Sequence, residues 1–377
     1  MNWTDYLIPA NVSATPKYDS FGESVVIYNG EIDFKLPEAT KIVIIGAPED
    51  RFSEGAGEIK SPGAIRKQLY ALADVSKGGA VVDMGNLKTG KTLDDTYYGL
   101  KDLVSEFYRQ NIITIIIGGT IDVFYGNILA MEEQRTVLTY VSPQLRFQQR
   151  NSAIHPLNTL MFDKIDLPLH ICNIGYQSYY VPQWELDFFR DKHFETYRLG
   201  EIRNENIKTS EPVIRDSDLM AISMDAIRYS DAPAASNPSP SGLTGEEICQ
   251  LAFFAGLSYK CRALGIFDML PQNDMLDVTA KLAAQIAWYF IEGIKKRNMD
   301  NPKNDSQNFK KYLIFFDELH HDLCFFKNIK TERWWMEVPS INNAADSLII
   351  SCTPDDYKRA TEQEIPDRWW KTYQRIN

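Results

Sequence analysis

Short runs of consecutive apolar residues recur along the chain, separated by stretches in which apolar positions return every three or four residues. The runs are KIVIIGAP (41–48), GGAVVDMG (78–85), IITIIIGG (112–119), TVLTYV (136–141), LPLHICNIGY (167–176), DLMAISMDAI (218–227) and ALGIFDML (263–270). Runs this short, without polar alternation, predict strands covered on both faces. The helical spacing between them predicts βαβ units around a mostly parallel sheet. SPGAIRKQLYALAD (61–74) and LTGEEICQLAFFAGL (243–257) open with helix-starting residues and then carry apolar positions at helical spacing. The expected fold class is α/β, a three-layer helix–sheet–helix arrangement.

The pattern changes near residue 298. After the long helical stretch DVTAKLAAQIAWYFIEGIKKR, the segment NMDNPKNDSQN (298–308) is polar and rich in turn formers. We therefore divide the chain into a main α/β domain over 1–297, with 1–40 as a leading extension, a linker over 298–310, and a C-terminal extension over 311–377 packed on the main domain. The extension contains strand-like YLIFF and SLIIS, and a short echo between RWWMEVP (333–339) and DRWWKTY (367–373). Its tryptophan pairs are expected to pack on the main domain or on a subunit neighbour.

A formal charge of −11 excludes a nucleic-acid footprint, because no basic stripe is present to neutralise phosphates. The opening residues lack a basic segment followed by an apolar run, and no stretch reaches the length of a membrane span, so a cytoplasmic protein without membrane contact is expected. Five cysteines without CxxC spacing read as reduced thiols serving as small core hydrophobes.

Candidate chemistry lies in the turns after the strands. IIIGGTIDVFYGN (115–127) is a strand that breaks at a glycine pair and enters a helix, a usual place for active-site groups in α/β enzymes. Taken in order, IIGAPED with SPGAIR, VVDMGNL, IIIGGTID, ISMDAIRYSDAPAASNPSPSGLTGEE and PQNDMLDVTAKLAAQIA resemble the arginase, agmatinase and formimidoylglutamase superfamily, the ureohydrolases, over about residues 40 to 297. The Gly-Leu-Thr-x-x-Glu match is the most specific part. The resemblance implies the arginase-like fold and hydrolysis of a C–N bond in a linear amidine. In members of that superfamily the attacking hydroxide bridges two Mn²⁺ ions held by two histidines and four aspartates, the arrangement that the resemblance implies.

Matched position by position, that ligand set is depleted. Thr120 and Ile121 stand where the family's Gly-Gly-Asp-His-Ser turn has aspartate and histidine. Residues 134–150 contain no Asp, Glu or His where an Asp-x-His-x-Asp loop belongs, and Ile227 replaces the second aspartate of Ser-x-Asp-x-Asp. Asp225 alone survives as a metal-ligand position. One carboxylate cannot hold a binuclear cluster, so the sequence leads to the expectation of no cofactor and of a binding, regulatory or scaffold subunit. The alternative is an active amidine hydrolase with a site rebuilt from Asp225, Asp122 and Asp231. Glu247 and His155 match substrate-contacting positions. A small cationic or amino-acid-like ligand and a homo-oligomer are the expected partners. Asp225 is expected to be held by loop amides and the Thr120 hydroxyl rather than by Arg228, because side chains three apart on a strand end point away from each other.

Overall fold

The computed structural model describes the 377-residue chain except residues 12–17, 52–56, 77–79, 132–134, 146–168, 206, 304–305, 317–320 and 342–346. Among the described residues, ten strands form one sheet. The seven predicted strands are β3 (Ile42–Gly46), β4 (Val81–Leu87), β5 (Ile113–Ile117), β6 (Thr136–Val141), β7 (Leu169–Tyr176), β9 (Leu219–Ser223) and β10 (Ala263–Phe267). Three more join them: β1 (Leu7–Ile8), β2 (Val26–Ile27) and β8 (Glu195–Arg198). The order is β1-β4-β3-β5-β10-β9-β6-β7-β8, with β2 also on β4, and every pairing is parallel except that of β1 with β4. The first forty residues therefore contribute two strands to the main sheet instead of only leading into it. Those strands are two residues long and carry no periodic signal.

Alternation within each strand builds two cores. Ile42, Ile44, Ile115, Ile117, Ile222 and Ile266 face one side, where they meet α1 (Ser61–Leu69), α4 (Gly245–Leu257) and α5 (Val278–Lys295). Val43, Ile45, Ile116, Ala221 and Ala263 face the other, against Leu100, Leu103, Val104 and Phe107 of α2 (Leu93–Arg109). Burial on both faces explains why β3 and β10 are apolar throughout and β9 is apolar up to its last residue, Ser223. A further helix, α3 (Gln183–Asp191), precedes β8. The result is the three-layer α/β/α arrangement.

The C-terminal residues form a four-stranded antiparallel sheet of β11 (Phe309–Phe316), β12 (His321–Asn328), β13 (Trp334–Val338) and β14 (Leu348–Cys352), followed by α6 (Pro354–Thr361) and α7 (Asp367–Ile376). Phe325, Met336, Val338, Ile350 and Trp369 make its own small core. The two RWW echoes take different structures: the first is strand β13, and the second lies in α7, where Pro366 stands at the helix start and Asp367 in the first turn. Trp335 stacks under the guanidinium of Arg215 from the main domain, 4.2 Å from its ring centroid. Among the described residues no helix is long and apolar enough to cross a membrane, and all five cysteines are buried and free.

Candidate active-site cleft at the carboxyl ends of the strands

The turn after β5 is shaped by its glycines. Gly118 and Gly119 have φ of +81° and +74°, a region that side chains with a Cβ disfavour. A Cβ on Gly119 would lie 2.4 Å from the Ala47 carbonyl oxygen, so the turn presses directly against the loop after β3. The Gly119 amide donates to Ser61 Oγ at 3.0 Å, and the Thr120 amide to the Glu49 carbonyl at 3.2 Å. The turn then continues as a short 3-10 segment, Ile121–Phe124.

Three carboxylates gather around this turn. Asp268 follows β10 with φ of +64°; its Oδ1 accepts the Ile121 amide at 3.0 Å and its Oδ2 accepts the Ser223 hydroxyl at 2.5 Å. Ser223 Oγ also accepts the amide of Asp225 at 3.3 Å, so one serine links the ends of β9 and β10. Asp225 is buried, and its Oδ1 accepts the Asn237 amide at 2.8 Å from the proline-rich loop. Asp122 is buried beside them and takes the Tyr97 hydroxyl on Oδ2 at 2.5 Å, while its Oδ1 has no hydrogen-bond partner among the described residues. Burial pushes the Asp122 carboxyl up to about 6, and the charge of Asp268 acts in the same direction.

The loop amide expected at Asp225 is that of Asn237, but the Thr120 hydroxyl expected to join it makes no hydrogen bond to Asp225 and instead favours the ionised form of Asp122. Arg228 is committed to Asp231 at 2.9 Å. Asp231 also accepts the Gly245 amide at 2.8 Å and the Ser230 hydroxyl at 2.8 Å; burial raises its carboxyl, and these bonds more than offset the rise, leaving it below the usual carboxylate range. It thus braces the start of α4. Glu247 does the same: its Oε2 accepts the Thr244 amide at 2.7 Å while Thr244 Oγ1 accepts the Glu247 amide at 3.1 Å, a reciprocal capping box. His155 lies outside the described residues. Asp268 is the cleft residue that sequence reasoning missed, although an acid immediately after the apolar strand ALGIF is a recognisable signal in an α/β sheet.

Manganese takes carboxylate and imidazole donors. At the two matched positions stand Ile121 and Ile227, buried hydrocarbon side chains that offer none. Among the described residues, no three His, Cys, Asp or Glu ligand atoms converge at this end of the sheet; His170, Cys172 and Glu195, which do converge, belong to β7 and β8. The described residues of the cleft do not compose a two-manganese ligand set.

The sequence model of the arginase family matches residues 40–292. A formimidoylglutamase from Staphylococcus haemolyticus is 25% identical over 305 residues, covering 77% of this chain and 97% of that protein. The structure of formimidoylglutamase from Bacillus subtilis superposes with a TM-score of 0.67 at 17% identity, covering 76% of this chain and 96% of that one. Formiminoglutamase from Trypanosoma cruzi with Mn²⁺ gives 0.63 at 20% identity, covering 71% and 98%. This manganese-bearing relative overturns the expectation of no cofactor. With two thirds of its length matched in register from β3 to α5, the chain belongs to the arginase family.

Proposed function

We propose that the carboxyl-end cleft recognises a small amino-acid-like compound bearing a linear amidine and hydrolyses its C–N bond, the activity for which the formimidoylglutamase relatives are named. The observation that carries this reading is the near-complete coverage of a formimidoylglutamase by this chain, 97% of its length. The grouping of Asp122, Asp225 and Asp268 at the ends of β5, β9 and β10 supports it. An amidinium is planar and cationic, and buried carboxylates in low dielectric attract it far more strongly than they would in water. Asp122, with one oxygen free of partners among the described residues, is the group placed to accept an N–H. Asp268 is held by its two bonds and sets the potential.

The test is release of formamide from formimidoylglutamate by the purified chain supplied with Mn²⁺, compared with Asp225→Ala. Metal-dependent turnover lost in the variant supports hydrolysis. A second reading, a binding or regulatory subunit, is favoured by one observation: Ile121 and Ile227 occupy two positions where the family has ligands. Under that reading formimidoylglutamate raises the thermal midpoint without being consumed. Neither turnover nor a thermal shift would remove both.

A further inference from the structure

At the opposite end of the sheet, a cavity of about 530 Å³ lies between the amino ends of β6 to β9 and the C-terminal sheet and helix. It is far from the family's cleft and is closed by residues of β14 and α7, which stand outside the family match. Its size is that of pockets holding small metabolites.

The charges around it are unevenly matched. Its acids are already occupied: Glu195 accepts Tyr197 Oη at 2.6 Å, Arg368 Nε at 3.2 Å and His170 Nε2 at 3.0 Å. Asp216 accepts the amide and hydroxyl of Ser351 at 2.8 and 2.7 Å and pairs with Arg368 and Lys260. Asp218 accepts the Val137 amide at 2.8 Å. Two of its cations are not occupied: Arg375 on α7 and Arg135 at the start of β6 line the cavity and make no hydrogen bond or ion-pair contact among the described residues. Arg375 is half-buried, and this burial lowers its pKa, as expected of a guanidinium without a contacting counter-ion. His170 adds a second signal: it lines the cavity, is buried, and its Nδ1 has no hydrogen-bond partner among the described residues. A buried polar atom left in this way calls for a ligand or a solvent partner.

A metal ion is the obvious alternative, since His170, Cys172 and Glu195 place their ligand atoms together. The surroundings oppose it. The guanidinium of Arg368 sits directly on Glu195, and burial pushes the Cys172 thiol well up, so it stays protonated. A cation would add to positive charge already in place, whereas an anion would offset it.

We propose that this cavity is a second ligand site, taking a small organic anion whose carboxylate or phosphate is held by Arg135 and Arg375. Leu348, Ile350 and Ile376 supply an apolar wall for its carbon skeleton. Guanidinium groups suit both oxyanions because their N–H donors match two oxygens at once. The ligand would join α7 to the amino end of β6 and so tie the C-terminal unit to the sheet.

The full chain is titrated by calorimetry with glutarate and, separately, with inorganic phosphate, against sodium chloride at equal ionic strength. Saturable binding of either anion near one per chain is expected, weakened about tenfold or more by Arg375→Gln and by Arg135→Gln, the loss of one charge-assisted contact. Asp225→Asn, at the other end of the sheet, should leave it unchanged, which separates this site from the cleft whatever that cleft does. Arg135 is exposed, so its variant remains informative if Arg375→Gln fails to fold. Preference for glutarate identifies a carboxylate site, and preference for phosphate a phosphate site. No binding of either at about 10 mM, weaker than any specific metabolite site requires, would overturn the proposal. So would equal effects of chloride, or affinity unchanged in both arginine variants.

Discussion

Arg368 and Asp216 form a buried ion pair, Nη2 to Oδ2 at 2.9 Å, that ties the last helix to the segment entering β9. The same guanidinium reaches Glu195 on β8 through Nε at 3.2 Å and donates to the Ser351 carbonyl of β14. A single side chain therefore closes a network across both sheets. The coupled acids are held below the ordinary carboxylate range: burial raises them, but the Arg368 and Lys260 charges lower Asp216, and Arg368 with the His170 hydrogen bond lowers Glu195. Arg368→Met should cost about 3 kcal/mol, because it removes a shared cation from two buried carboxylates, although Lys260 still faces Asp216 and Tyr197 still donates to Glu195. Urea unfolding checks this, and a loss below about 1 kcal/mol would mean that solvent screens the network.

Two groups should oppose each other in the pH dependence of stability. Burial pushes His170 down to about 4, so it stabilises the fold above its unfolded value of 6.5 and that contribution is lost as pH falls toward 4. Burial pushes Asp122 up from 3.8 to about 6, so its contribution is present below 3.8 and is lost as pH rises toward 6. Each is worth about 3 kcal/mol by linkage, and between pH 4 and 6 they offset. Asp218, pushed up to about 6 by burial, acts in the same direction as Asp122, so relative to the parent chain Asp122→Asn should make stability rise more with pH across this window and His170→Gln should make it rise less or fall. Urea midpoints at half-unit pH steps check this; identical profiles for the two variants would refute it.

Gly119→Ala should be among the costlier single substitutions in the chain, about 2 kcal/mol or more. It combines a left-handed backbone with a Cβ placed 2.4 Å from the Ala47 carbonyl oxygen and 3.0 Å from that of Glu49. Gly63→Ala is the control, since a Cβ there meets nothing within 4 Å. A shift of the thermal midpoint no larger than that of the control would show that the turn can relax.

Glu247→Gln should lower stability by less than about 1 kcal/mol, and Thr244→Ala by about 1 kcal/mol, because each removes part of one capping box. The measurement is denaturant unfolding of both single variants and the double variant. Losses that simply add would show that the two caps act independently instead of reciprocally.

Much of the fold was legible in the residues themselves. KIVIIG, IITIII, TVLTYV and ALGIF are apolar without alternation, and a strand with that pattern must be covered on both sides, so a parallel sheet between helix layers follows from burial alone. The resemblance likewise located the cleft, because its turns lie at fixed places after those strands. Tertiary structure decided what local pattern does not encode. β1, β2 and β8 are too short to show a period and exist only because a sheet edge offers them partners. The two segments share the three residues RWW, yet one pairs with β12 and β14 while the other winds into a helix after Pro366. Asp268, Ser223 and Asp225 meet because β9 and β10 are neighbours, although Ser223 and Asp268 are 45 positions apart in the chain. The lower cavity depends on the same physics at longer range: Arg135 and Arg375 stand at distant points of the sequence, and only the docking of α7 under β6 brings their charges to one space.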